Sequence, residues 1–242
     1  MSRHSIMRPL RLTGAPIAAV ALGLMLVIPA VAMAHGVADK DAAFIQNNPG
    51  LQIVPFLYLG AKHMVTGYDH LLFLAGVIFF LYRLRDVALY VTMFSLGHSI
   101  TLLGGVLTGA RVDPFIVDAI IGLSVVWKAL DNLGAFPVLI GFLPNAKAVV
   151  LAFGLAHGFG LATKLQALKL SAQGLVANIV AFNIGVEAGQ ILALSLILLA
   201  MMWWRRTAGF QRYAAAANVA LMAAGFVLAE SQIAGFILEK SA

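Results

Sequence analysis

The sequence predicts an all-α fold: a polytopic membrane helix bundle of about six transmembrane helices behind a cleavable signal peptide. Three observations predict it. The 242 residues are 62% hydrophobic and only 11% charged, whereas a soluble domain is about 25% charged. The mean hydropathy is +0.95. Apolar runs near the length needed to cross a bilayer, about 20 residues, alternate with short loops, several of them basic.

The chain begins with a secretory pattern. Arg3, Arg8 and Arg11 precede an apolar core from Ala15 to Ala30, and Ala32-Met33-Ala34 gives a small-x-small cleavage signal. Residues 1–34 are therefore expected to be a signal peptide, and 35–242 a single transmembrane domain. Cleavage would leave His35 at the mature N-terminus, where its amine and imidazole could chelate a metal together. Residues 36–50 are polar and read as an extracytoplasmic lead-in. Leu51 to Ala61 is a short apolar stretch, either an interfacial helix or the outer part of a long first span. Spans are then expected at 66–82, 87–108, 113–131, 147–166, 174–204 and 213–237. The loop 132–146, with Gly134, Pro137, Gly141 and Pro144, either dips into the interface or simply connects.

The net charge of +6 is read as topological rather than as a sign of nucleic acid. Arg83 and Arg85 after the first span, and Arg205, Arg206 and Arg212 after the fifth, place those loops in the cytoplasm by the positive-inside rule. The expected location is the bacterial inner membrane, multi-pass, with the mature N-terminus extracytoplasmic and the lipid bilayer as a partner. Zero cysteines exclude disulfides, thiolate metal sites and cysteine nucleophiles. A metal site must then use imidazole, carboxylate or amide ligands, which suit nickel, cobalt, zinc or cupric copper.

Ionisable groups recur inside the apolar runs, where burial makes them costly without a purpose. His70, His98, His157 and Glu187 each fall about 10–12 residues from an end of their span, the middle of the bilayer at 1.5 Å per residue. Asp69 adjoins His70, and a carboxylate commonly orients a ligating imidazole. Asn183, Glu187 and Gln190 follow i, i+4, i+7 spacing, one stripe of one helix. His63 lies two turns before His70, about 10 Å away on an unbroken helix. The two can share an ion only if Gly67 breaks that helix; otherwise His63 belongs to an access position. The expected metal-site residues are His63, Asp69, His70, His98, His157, Asn183, Glu187 and Gln190. Asp118, Lys128 and Asp131 form either a proton path or a charge-paired structural set.

Four ordered stretches carry a family resemblance: Gly67 to Phe73, Gly97 to Leu102, Leu155 to Gly160 and Phe182 to Gln190. On these the chain resembles the HupE/UreJ family of hydrogenase and urease accessory membrane proteins. It is similar to a branch without the full two-His-plus-Glu motif, whose positions here hold Phe153, His157 and Gly160. The spacing from His63 to His70 also resembles the histidine signature of nickel/cobalt permeases, with one residue more. The resemblance implies a non-enzymatic permease, or a membrane metal-handling protein, for a divalent transition metal, with nickel or cobalt favoured. The other readings are an assembly factor that hands over metal without transport, a b-type haem protein using two of the three central histidines, and a membrane-embedded metal-dependent hydrolase with His ligands and a Glu base. A metalloenzyme maturation partner and a homo-oligomer are compatible with the first two.

Overall fold

A computed structural model describes residues 45–46, 49–167 and 170–241. The expected signal peptide, its cleavage point and His35 lie outside the described residues. Among those described there is helix and no strand. In chain order the helices are α1 (Ile53–Thr66), α2 (Tyr68–Ile78), α3 (Leu84–Thr108), α4 (Pro114–Leu133), α5 (Phe136–Leu139), α6 (Ala146–Ala167), α7 (Leu175–Arg205) and α8 (Ala208–Ser241). The membrane reading is carried by α3, α6, α7 and α8, each long and apolar enough to cross a bilayer.

The other two expected spans differ for physical reasons. The span expected at 66–82 is the second half of a broken helix. α2 has 11 residues, about 16 Å, which alone is short of a hydrocarbon core of about 30 Å. α1 precedes it and runs beside α7 in the same direction: Gln52 donates its amide N–H to Asn178 Oδ1 at 2.7 Å, Leu57 lies against Gly185, and Ala61 against Gly189. At the far end the Arg205 guanidinium donates to the carbonyls of Leu81 at 2.9 Å and Phe79 at 2.7 Å, and to that of Ile78. α1 and α2 thus follow α7 along nearly its whole length. The third expected span is α4, whose Asp118, Lys128 and Asp131 make it too charged to count as an ordinary apolar span. Those charges pair: Lys164 with Asp118, and Lys128 with Asp131.

Local signals set the helix ends. Asp113 caps α4, its carboxylate accepting from the Phe115 amide at 3.0 Å, with Pro114 in the first turn. That fixed φ and missing donor suit a helix start. Gly134 closes α4 in the left-handed region at φ 69°, a conformation that disfavours any residue with a Cβ. The Asn145 side chain accepts from the amides of Lys147 and Ala148 and starts α6. Between them, the loop 132–146 contains the single turn α5, anchored by Phe136 against Trp127 at 4.4 Å between ring centroids.

Three helix pairs make the bundle: α1 with α7, α3 with α6, and α4 with α8. Each is zipped by glycines that allow backbones to touch, the usual way membrane helices gain dispersion contact where lipid removes the hydrophobic drive. A Cβ on Gly60 would lie 1.9 Å from the Phe182 carbonyl oxygen, one on Gly154 2.4 Å from that of Phe94, and one on Gly122 2.6 Å from the Ala229 nitrogen. α2 sits among the pairs, burying Asp69, His70, Phe73, Leu74 and Val77.

Candidate metal centre

The site begins at the break. Gly67 has ψ 92°, an extended conformation that ends α1, and its amide N–H returns to the His63 carbonyl. Its own carbonyl then accepts from the Leu71 amide at 3.0 Å and restarts the helix as α2. The kink brings the His63 and His70 rings to 5.1 Å between centroids, half the separation of an unbroken helix. Space at the kink is tight. A Cβ on Gly67 would stand 3.0 Å from the His63 carbonyl oxygen and 3.1 Å from His70 Nδ1.

The α3–α6 pair supplies the next two imidazoles. A Cβ on Gly158 would lie 2.1 Å from the His98 carbonyl oxygen, so only glycine lets the helices meet at this level. Thr101 reinforces the contact by donating its hydroxyl to the Leu155 carbonyl at 2.7 Å. The His70 ring lies 4.5 Å from His157 and 5.8 Å from His98, edge to face in both cases. His70, His98 and His157 are 1–2% exposed. Phe73 and Phe94 pack beneath, 5.5 Å and 5.1 Å from the His157 ring.

Hydrogen-bond partners assign which ring nitrogen is left for a ligand. His70 Nδ1 lies 2.8 Å from Asp69 Oδ1, which also accepts the His70 backbone N–H at 2.8 Å. A carboxylate only accepts, so Nδ1 carries the hydrogen and Nε2 points away with no partner. Ser124 donates its hydroxyl to the Ile121 carbonyl at 2.6 Å, which leaves its oxygen to accept from His157 Nε2 at 3.2 Å. His157 Nδ1 is then the free nitrogen. Among the described residues neither nitrogen of buried His98 has a hydrogen-bond partner. Ser124, absent from the sequence expectation, is thus part of the site. Its only sequence signal is a hydroxyl in the third span, six residues after Asp118.

His63, Asp69, His70 and His157 line a cavity of about 30 Å³ together with Asp118 and Lys164. A water or a small ion fits in such a space. Among the described residues no three His, Asp or Glu side chains are already arranged to hold a metal ion. The rings meet edge to face, and ligation requires them to turn toward a common point.

The α7 stripe does not join this cluster. Glu187 is exposed, on the same stripe as Ile184 and Ile191, which are 53% and 66% exposed. Its depth is as expected, between Gly185 and Gly189 where α7 meets Leu57 and Ala61, but it faces outward. Packing decides this: the glycine face of α7 is taken by α1, which turns Glu187 away from the imidazoles. Gln190 is 1% exposed and accepts from the Ser95 hydroxyl at 2.9 Å, tying α7 to α3 one turn from His98. Asn183 is half-buried, its Oδ1 without a partner. Among the described residues no hydrogen bond links Asn183 or Gln190 to an imidazole.

The family model described as HupE / UreJ protein matches residues 39–240. No curated protein and no solved structure matches the chain. The match covers most of the sequence, and the chain belongs to the HupE/UreJ family.

Proposed function

We propose that this HupE/UreJ protein is a membrane permease for a divalent transition-metal ion, nickel or cobalt by preference, which it takes as substrate at the imidazole cluster of His63, His70, His98 and His157. One observation carries the reading. Two buried imidazoles that line the cavity, His70 and His157, each have one nitrogen fixed by an acceptor and leave the other without a partner among the described residues. A purely structural histidine would use its second nitrogen to hold a neighbouring helix. Neutral imidazoles are borderline ligands suited to nickel, cobalt, zinc and cupric copper. Asp69 orients His70, as carboxylates behind metal-bound histidines do, and adds one negative charge.

The broken α1–α2 helix supports passage rather than storage. Discontinuous helices recur at transporter substrate sites, where a kink in the bilayer frees backbone groups and lets two halves move. The role is non-enzymatic, in the inner membrane with the N-terminal side extracytoplasmic; a maturation partner would receive the ion. The test is passage of Ni²⁺, Co²⁺, Zn²⁺, Cu²⁺ and Mn²⁺ into proteoliposomes loaded with a metal-responsive dye, for wild type and His70→Ala. Saturable, selective passage lost in the variant is expected. Binding without passage would replace the permease with a metal-delivering assembly factor, and neither binding nor passage would refute metal handling.

A further inference from the structure

We propose that Asp118 is a second cation position in the same cavity, and that Lys164 occupies it as a tethered cation which an incoming divalent ion displaces; this rests on the imidazole cluster being a divalent-cation site.

The geometry places the two positions in one cleft. α4 and α6 lie side by side and touch at two levels: Ser124 with His157, and Asp118 with Lys164. These contacts are six or seven residues apart along each helix, about 10 Å. The cavity runs between them. Lys164 Nζ donates to both oxygens of Asp118, at 2.9 Å and 2.8 Å. At the other end the unpartnered nitrogens of His70 and His157 belong to side chains 2% and 1% exposed.

Charge supplies the reason. Among the described residues a divalent ion at the imidazoles has one adjacent carboxylate, Asp69, and a buried charge is costly unless balanced. Among the described residues Asp118 is the second carboxylate lining the cavity, and Lys164 neutralises it when no ion is there. The pair is asymmetric in the way displacement needs. The Asp118 side chain is 7% exposed and fixed on α4, whereas that of Lys164 is 19% exposed, one turn before the end of α6 at Ala167. A flexible four-carbon stem lets the ammonium swing to water. A divalent ion outcompetes a monovalent one for the same carboxylate, and the released carboxylate balances the ion's second charge.

An ion pair that merely holds α4 to α6 predicts something different, and two measurements separate them. The first counts Mn²⁺, a probe suited to oxygen ligands, by electron paramagnetic resonance on detergent-solubilised full-length protein. Lys164→Gln is expected to bind one Mn²⁺ at least about tenfold tighter than wild type, because a unit charge opposing the ion is removed. Asp118→Asn/Lys164→Gln should lose that ion. His70→Ala/Lys164→Gln should keep it while losing the visible absorption of Co²⁺ at the imidazoles, so failure of the imidazole reading would register separately. No gain of Mn²⁺ binding in Lys164→Gln, or a gain that survives Asp118→Asn, overturns the proposal. The second measurement uses wild type and needs no variant to fold: modification of Lys164 by an amine-reactive reagent, read by mass spectrometry. Saturating Co²⁺ should speed it several-fold, and an unchanged rate overturns the proposal.

Discussion

Replacing Asp69 by asparagine tests the centre at its most informative point. Asp69 is 4% exposed, and its Oδ1 accepts from both the ring and the backbone of His70. Asparagine keeps the volume and one acceptor oxygen but removes the charge. Two effects then act on a bound divalent ion: His70 becomes a weaker donor to the metal, and the cavity loses its nearest negative charge. Loss of such a partner costs about 10- to 100-fold in metal affinity, or about 1.4–2.8 kcal/mol. Fold stability should hardly move, since a neutral amide is easier to bury than a carboxylate and the Leu71–Gly67 bond that restarts α2 is untouched. The assay is a Co²⁺ titration of solubilised protein followed by visible absorption, with thermal unfolding in the same buffer. Binding within about threefold of wild type would refute the reasoning, because affinity would then not depend on the charge behind His70.

Three further substitutions probe other links. Ser124→Ala removes the acceptor for His157 Nε2 and should weaken Co²⁺ binding about tenfold and lower the unfolding temperature, an unsatisfied buried donor costing about 1–3 kcal/mol. Gly158→Ala would put a Cβ 2.1 Å from the His98 carbonyl oxygen, forcing α3 and α6 apart by about 1 Å; Co²⁺ affinity should fall about 100-fold, the scale of a misplacement that size, and a near-normal titration would contradict the close-approach argument. Glu187→Gln should leave Co²⁺ binding at the imidazoles close to that of wild type, since Glu187 faces outward on α7, away from the imidazoles; the same titration checks it.

The helical membrane class was legible because composition alone demands it, and each long apolar run became a helix near its expected bounds. The first span is longer than 66–82, as in the alternative where Leu51 to Ala61 forms its outer part, and it is broken at Gly67. Lys62, His63, Thr66 and Gly67 dilute the hydropathy between Leu51 and Leu71, so the apolar count divides what the chain treats as one path along α7. Whether a lone glycine breaks a helix is decided by what surrounds it. At Gly67 the two halves are held in place by separate partners, α1 by the glycines of α7 and the end of α2 by Arg205.

The site divides along a different line: depth was readable and direction was not. Counting residues at a fixed rise puts a group at a level in the bilayer, and His70, His98 and His157 do meet at one level. Direction around a helix is normally read from which face is apolar, and a membrane helix is apolar on all faces because lipid and protein interior make the same demand. On α7, Phe182 and Val186 are buried while Ile184 and Ile191 are exposed, a difference hydropathy cannot express. Glu187 therefore lies on an outward face of α7, away from the imidazoles. What does mark the buried face is glycine. Gly60, Gly185 and Gly189 line the contact of α1 with α7, and Gly97, Gly154 and Gly158 that of α3 with α6. Taken as contact markers, the glycines put His98 and His157 beside a helix contact, and Glu187 just off one. Ser124 and Lys164 needed a further step, the pairing of α4 with α6, which is a contact between elements and has no signature in either helix alone.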